Sequence, residues 1–198
     1  MNITEAAIQY IQSLFADNAG GHGADHTMRV YRTAMMIAGR EPGCDQEITA
    51  LAALLHDADD HKLFRTVDNA NARAFLAEHG VEPEKTEKIC AAVNSVSFSR
   101  NRGKRPATIE GKIVRDADRL DAIGAVGIAR AFAYGGEHGR PMEASVRHFD
   151  EKLLLLKDEM NTETARQIAE KRHAFMVSFL KELEEETGPA QWIKPITA

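Results

Sequence analysis

An apolar run that stops abruptly on two polar residues constrains this chain more than any other feature. Residues 50–55 are alanine and leucine throughout, and His56 and Asp57 follow them directly. A helix that is apolar on all sides belongs inside a protein core. Because imidazole and carboxylate groups are both good metal ligands, we expect a core helix that presents a reactive pair at the edge of a cleft.

Helical periodicity runs through most of the sequence and predicts an all-α fold. Asn2 followed by Glu5 indicates a capped first helix, a second helix begins near Asp25, and Asp45 begins the helix that ends at His56. Apolar residues recur at helical spacing in the rest of the chain, and no segment alternates as a half-buried strand would. The remaining helical stretches are predicted over residues 69–79, 83–96, 108–118, 143–160 and 162–187. A segment of small residues lies over 122–134, and loops are predicted over 57–68, 99–106 and 135–141.

The length of 198 residues is most simply that of one domain over residues 1–198. A chain of this size can bury roughly 70% of its unfolded surface, so it needs no covalent staple. Cys44 and Cys90 follow neither a metal-finger nor a paired-cysteine spacing, and we interpret both as reduced thiols.

Composition and charge exclude two classes of function. No stretch approaches the ~18 to 20 continuous apolar residues that a membrane helix needs, and the first residues do not have a charged and then apolar leader. A formal net charge of −5 argues against nucleic-acid binding as the main task, because that binding depends on Lys and Arg set against phosphates. We therefore expect a cytoplasmic protein with local phosphate recognition, no membrane contact and no nucleic-acid partner.

Four candidate metal ligands occupy the ends of three predicted helices. His26 lies one residue inside the second helix, His56 and Asp57 end the third, and Asp118 lies near the end of a later one. If these helices pack together, two imidazole nitrogens and two carboxylate oxygens meet. Such a set suits a six-coordinate divalent ion with positions left for water or substrate, whereas structural zinc sites usually use cysteine. The pattern therefore predicts a catalytic metal centre.

The order and context of these ligands resemble those of the HD superfamily of metal-dependent phosphohydrolases. The ligands follow the order H…HD…D, within HTMRV over residues 26–30, LLHD over 54–57 and EGKIVRDADRLDAIGAVGIAR over 110–130. The last stretch is similar to that of small stand-alone bacterial HD proteins, some of which hydrolyse nucleoside triphosphates to the monophosphate and pyrophosphate. The resemblance implies an HD-domain helical bundle with a core over residues 20 to about 140. The C-terminal helical extension over 143–187 matches only in being helical.

The resemblance implies a role for each residue that matches the family pattern. It makes the four candidate residues the ligands of a divalent ion such as manganese, magnesium or cobalt. Asp60 and Lys62 match positions beside the attacking water and the phosphate. Asp121 follows the last ligand by three residues, on the same helical face, and offers a second carboxylate to orient or deprotonate that water. His22 matches a substrate-side position, although the glycine and alanine after it replace the acidic or aromatic residue expected there.

Further basic residues offer contacts to a polyphosphate. Arg102, Lys104 and Arg105 lie in the loop predicted over 99–106, which could close over a polyphosphate tail. The same loop could instead be a solvated connection, which is the usual role of a charged run. Arg29 could contact a phosphate oxygen or, equally, hold a ligand carboxylate in place.

The leading hypothesis is a metal-dependent phosphohydrolase that splits a nucleoside or deoxynucleoside triphosphate between the α- and β-phosphates. A phosphomonoesterase acting on nucleoside monophosphates would need the same metal and water but no room for the polyphosphate tail. A third alternative is a nucleotide-sensing helical module without catalysis, which would have no reason to keep Asp60 and Lys62. We expect a small nucleotide as the partner of a monomer or homodimer.

Overall fold

The structure is a computed structural model that describes residues 2–16, 23–61, 63–97, 101 and 103–188. Every regular element in those ranges is helical, which confirms the all-α prediction. The α-helices are α1 (Ile3–Leu14), α2 (Ala24–Ala38), α3 (Gln46–Leu55), α4 (Ala70–Glu78), α5 (Pro83–Val96), α6 (Ile109–Asp121), α7 (Gly124–Glu137), α8 (Met142–His148) and α9 (Glu163–Thr187). A π-helical segment (Phe149–Leu153) and a 3₁₀ segment (Leu154–Glu159) follow α8. None of the described helices is both long and apolar enough to cross a membrane.

Side-chain caps begin the first and third helices where the sequence predicts them. The Asn2 side chain accepts a hydrogen bond from the Glu5 amide (2.9 Å), and the Glu5 carboxylate accepts one from the Asn2 amide (3.1 Å). Asp45 accepts hydrogen bonds from the amides of Glu47 and Ile48 at 2.9 and 3.0 Å. Because the first amides of a helix have no partner within it, these caps fix where α1 and α3 begin.

The chain divides after Asp118 into two compact units. The sequence-based assignment of one domain over residues 1–198 stays a prediction. In the first unit α3 is the central helix: α1, α2 and α5 pack on it, and α4 packs on α5. Every residue of α3 from 48 to 55 is buried, as expected for a helix that is apolar on all sides. The helix therefore ends at His56 with packed support from several neighbours.

In the second unit, α7 packs on α8 and α9, and the 3₁₀ segment packs on α9. Two arginine side chains hold the end of α6 within this unit. Arg119 donates a hydrogen bond to the Glu159 carbonyl oxygen (2.8 Å), and Arg172, on α9, donates one to the Leu120 carbonyl oxygen. These bonds fasten the last turn of α6 to the helices that follow it.

The loop predicted over residues 135–141 begins later than expected, because α7 continues through Glu137. Gly135 is buried within the helix, and a Cβ atom at this position would lie 2.4 Å from Ser145 Oγ. Glycine therefore serves close packing here, inside a helix rather than in the predicted loop.

The helix predicted over residues 143–160 is α-helical only to His148 and then continues as the π-helical and 3₁₀ segments. Phe149, Leu153 and Leu156 are all buried, at spacings of four and then three residues. The extension is helical as predicted, but its first predicted helix is not a uniform α-helix.

Candidate metal centre

Two imidazole nitrogens meet where α2 begins and α3 ends. His26 lies in the first turn of α2, and His56 is the C-cap residue of α3. Their Nε2 atoms are 3.3 Å apart, with His26 3% and His56 9% exposed. His56 Nδ1 donates a hydrogen bond to the Ala53 carbonyl oxygen (2.8 Å), so Nε2 is the nitrogen whose lone pair faces His26 when the ring is neutral.

Two carboxylates complete this cluster. An Asp57 oxygen lies 3.6 Å from His26 Nε2 and 3.4 Å from His56 Nε2. An Asp118 oxygen, from α6, lies 3.3 and 4.0 Å from the same two nitrogens. One ligand atom each of His26, His56 and Asp118 lies within 4.8 Å of the others, which is compact enough to hold a metal ion. The structure thus brings together the four residues predicted as ligands, and their role in coordination stays a prediction.

The chemistry of the four donors fits a divalent ion. The His56 lone pair and two carboxylate charges converge on one point, an arrangement that is unfavourable unless a positive charge lies among them. Imidazole and carboxylate ligands together suit first-row and hard divalent ions, and the set of four contains no cysteine of the kind that structural zinc sites use.

The histidines beside Asp118 favour the charged form of its carboxyl group. Burial acts to raise the pKa of the Asp118 carboxyl, but a hydrogen bond from His26 and positive charge on His26 and His56 together outweigh burial. The pKa of Asp118 therefore lies below its ordinary value. A metal ion would take the place of that positive charge, because histidine must lose its added proton to coordinate a metal.

Asp60 lies in the turn that follows the histidine–aspartate pair. Its amide donates a hydrogen bond to the Asp57 carbonyl oxygen (3.1 Å), and its carboxylate lies 3.5 Å from His61 Nδ1. Only 14% of the Asp60 side chain is exposed. Lys62, predicted as the phosphate-binding lysine of this turn, lies outside the described residues.

Asp121 lies in the second unit, where its carboxylate contacts a basic residue of α7. Asp121 Oδ2 is 2.5 Å from Arg130 Nη1, and the aspartate is 4% exposed. This ion pair engages the carboxylate that the sequence offers for orienting water. The catalytic role of Asp121 stays a prediction, and the geometry adds a contact between α6 and α7.

The predicted substrate-binding residues lie in several parts of the chain. His22 and Arg102 lie outside the described part of the chain. Arg29 is half-buried on α2, three residues after the histidine of the cluster and so on the same helical face. Lys104 and Arg105 are exposed in the loop between α5 and α6. Contact of these residues with substrate stays a prediction.

Arg115 anchors that basic loop, a function that the sequence analysis did not identify. This α6 residue is 2% exposed, its Nε donates to the Ser95 carbonyl oxygen (2.6 Å), and its Nη1 donates to the Lys104 carbonyl oxygen (2.5 Å). The sequence feature that indicates this anchoring role is an arginine among apolar positions predicted to be buried, since arginine is almost never fully buried without partners.

Fold and cluster together define a class of protein. In this class a histidine–aspartate pair at the end of a central helix joins a histidine and an aspartate from two other helices in one potential metal site. The sequence model of the HD domain family matches residues 23–123, a span that contains all four cluster residues. The chain belongs to the HD domain family, which confirms the resemblance found in the sequence.

Known relatives match most of the chain. The Bacillus subtilis protein YpgQ is 44% identical, with 89% of this chain and 90% of YpgQ covered. The crystal structure of YpgQ in complex with ADP gives a TM-score of 0.82 at 38% identity, covering 94% of this chain and 98% of that one. An HD-superfamily hydrolase from Bacillus thuringiensis gives 0.79 at 37% identity, covering 94% and 97%. The similarity therefore extends past the HD core into the C-terminal extension.

Proposed function

We propose that this protein is a metal-dependent phosphohydrolase that converts nucleoside or deoxynucleoside triphosphates to the monophosphate and pyrophosphate. The observation that carries the proposal is the convergence of two imidazole nitrogens and two carboxylate oxygens, each nitrogen–oxygen pair being 3.3–4.0 Å apart. The complex of YpgQ with ADP shows a nucleotide bound to a relative, which supports a nucleotide as the ligand here. The HD-superfamily hydrolase of Bacillus thuringiensis supports hydrolysis as the reaction class.

The four cluster residues would hold the divalent ion. When bound, manganese, magnesium or cobalt supplies a Lewis acid that lowers the pKa of water and neutralises charge on phosphoryl oxygens. The protein's own task is to place water and substrate. Water attacks the α-phosphorus, the bond from that phosphorus to the oxygen shared with the β-phosphate breaks, and pyrophosphate leaves.

Asp60 is the carboxylate that we assign to the attacking water. It follows Asp57 by three residues, and the hydrogen bond between their backbones holds the two in one turn. Asp121, the other candidate, is held by Arg130 at 2.5 Å, which favours a structural role for it. Asp60 thus accepts the proton of the water as the oxygen–phosphorus bond forms.

Basic residues would bind the phosphates. Lys62 is assigned to the non-bridging oxygens from its sequence position, with Arg29 on α2 as a second contact. Lys104 and Arg105, together with Arg102, would neutralise the departing pyrophosphate, and Arg115 holds the Lys104 backbone in place. Positive charge positioned against the developing negative charge is the electrostatic part of phosphoryl transfer.

Replacement of Asp60 by asparagine is expected to lower kcat by about 10²–10⁴-fold, because general-base catalysis contributes that much. Mn²⁺ affinity should stay close to that of the wild type, since Asp60 is not one of the four proposed ligands. Initial rates and a Mn²⁺ titration on the same preparation check both parts. Asp158→Asn, at an exposed position of the 3₁₀ segment, is the matched control. Equal kcat for the Asp60 variant and this control would exclude Asp60 as the base.

Product analysis tests the proposed reaction. Purified protein is incubated with a panel of nucleotides and with Mn²⁺, Mg²⁺ or Co²⁺, and phosphorus NMR quantifies pyrophosphate and orthophosphate separately. Equal amounts of pyrophosphate and nucleoside monophosphate from a triphosphate are the expected result. Orthophosphate from a monophosphate would instead identify a phosphomonoesterase. Nucleotide binding with neither product under any metal would identify a sensing module.

A further inference from the structure

The turn that follows the histidine–aspartate pair is tied to the start of α4. Asp59 accepts two hydrogen bonds from α4 amides, from Asn71 at 2.9 Å to one carboxylate oxygen and from Ala72 at 3.0 Å to the other. The Asn71 side chain in turn donates to the Ala58 carbonyl oxygen at 2.8 Å. Three hydrogen bonds therefore join two consecutive residues of the turn to two consecutive residues of the helix.

The first turn of α4 depends on this outside carboxylate. Its own N-cap residue, Asn69, makes no capping bond, and Asn69 Nδ2 is buried without a hydrogen-bond partner. Asp68 and Asn69 both adopt the left-handed conformation, with φ of 53° and 54°. Aspartate and asparagine adopt this conformation more readily than other residues with a side chain, so it is an ordinary way to enter the helix. Asp59 thus supplies the cap that α4 does not provide for itself.

Asp59 lies at the start of α4 and near the contact of this helix with α1. A carboxylate at the start of a helix interacts favourably with the positive end of the helix dipole. Tyr10, on α1, stacks on Phe75 of α4 with ring centroids 4.9 Å apart. Burial first and then the negative charge of Asp59 raise the pKa of the Tyr10 hydroxyl, so that carboxylate lies close to the contact between α1 and α4.

We propose that Asp59 and Asn71 are positioning residues of the hydrolytic site. They hold the backbone of residues 58–60 against α4 and so orient the two carboxylates on either side, Asp57 as a ligand and Asp60 as the base. Ala58 is fully buried, and its amide donates to the Leu55 carbonyl oxygen (3.1 Å), so the segment is fastened to α3 and to α4 at once. The inference rests on the proposed function, because it concerns the same site.

The chain offers a matched control for this capping interaction. Asp45 caps α3 with bonds from two successive amides at 2.9 and 3.0 Å, the same lengths that Asp59 makes to α4. Asp45 lies at the end of α3 opposite to the one that leads into the cluster. Asp59→Ala and Asp45→Ala therefore remove the same kind of bond, and each should lower the unfolding midpoint.

The experiment compares these two full-length variants in thermal unfolding, Mn²⁺ affinity and steady-state kinetics with a triphosphate. Asp59→Ala should weaken Mn²⁺ binding and lower kcat by about 10–100-fold, the usual effect of removing a residue that orients metal ligands, with KM changed much less. Asp59→Asn keeps one acceptor oxygen and should recover part of both losses. Asp45→Ala should keep Mn²⁺ affinity and kcat within about threefold, because neither depends on that cap.

The proposal is overturned if Asp59→Ala has the same Mn²⁺ affinity and kcat as Asp45→Ala. If Asp59→Ala does not fold, Asn71→Ala provides the test, because it removes the bond to Ala58 and leaves the α4 cap in place. Unchanged Mn²⁺ affinity and kcat in Asn71→Ala would also overturn the proposal. A wild type that binds Mn²⁺ but hydrolyses no nucleotide contradicts the proposed function alone. The difference in Mn²⁺ affinity between the variants then still decides whether Asp59 positions the site.

Discussion

Replacing His56 by alanine is expected to remove divalent-metal binding and turnover together. His56 Nε2 lies within 4.0 Å of a donor atom of each of the other three cluster residues, so its loss opens the centre of the proposed site. A metal acting as Lewis acid contributes several kcal/mol, and each 1.36 kcal/mol is tenfold in rate, so kcat/KM should fall by at least roughly 100-fold. Calorimetric titration with Mn²⁺ and initial rates measure the two effects.

His79 provides the matched control for this prediction. It is the C-cap residue of α4 as His56 is of α3, and its Nδ1 lies 2.8 Å from the Phe75 carbonyl oxygen. His79→Ala therefore removes an equivalent ring and hydrogen bond without touching the cluster. It should bind Mn²⁺ and turn over like the wild type. A His56→Ala variant that keeps both properties would exclude the four-residue cluster as the metal site.

Replacing Arg115 by alanine is expected to give the largest loss of stability. Its guanidinium donates to the carbonyl oxygens of Ser95 and Lys104, and the side chain is almost fully buried. Both bonds are partly buried, and a hydrogen bond of this kind contributes about 0.5–1.5 kcal/mol, so losing the two should lower the free energy of unfolding by about 1–3 kcal/mol. Denaturant unfolding measures the loss. KM for a triphosphate should also rise, because the loop with Lys104 is released.

Replacing Arg105 separates the effect of the loop on KM from the effect of Arg115 on stability. It is exposed in the same loop, so Arg105→Ala should change the free energy of unfolding by less than about 0.5 kcal/mol. If the loop binds the polyphosphate, Arg105→Ala should still raise KM. Unchanged stability in Arg115→Ala would show that its two hydrogen bonds do not hold the loop. Unchanged KM in both variants would make the loop a solvated connection, the alternative that its composition allows.

The central helix and the cluster were predictable because both depend on local patterns. The run of alanine and leucine before His56 fixes a helix that must be buried, and α3 is buried at every position from 48 to 55. The candidate ligands lie at helix ends that caps and apolar spacing identify, and the structure brings their side chains together. The family resemblance added what the helix ends alone do not provide, namely an assigned role for each of the four residues as a metal ligand.

The features of the structure that the sequence did not predict depend on contacts between residues far apart in sequence. Asp59 caps a helix that begins eleven residues later, and Arg115 bonds to a carbonyl twenty residues earlier, so neither partner is visible in a local window. Asp121 was interpreted from its spacing to Asp118, whereas its contact with Arg130 arises from the turn between α6 and α7. Such contacts are set by how the helices pack, which periodicity does not encode.

We propose that the cluster of His26, His56, Asp57 and Asp118 holds a divalent ion with which this protein hydrolyses nucleotides. The most direct test is to remove metals with a chelator and then titrate Mn²⁺ back, following bound ion and pyrophosphate release from a triphosphate in the same samples. We expect no hydrolysis without metal and a rate of hydrolysis that rises in proportion to occupancy of the site. Hydrolysis that is undiminished without metal, or no pyrophosphate at full occupancy, would contradict it.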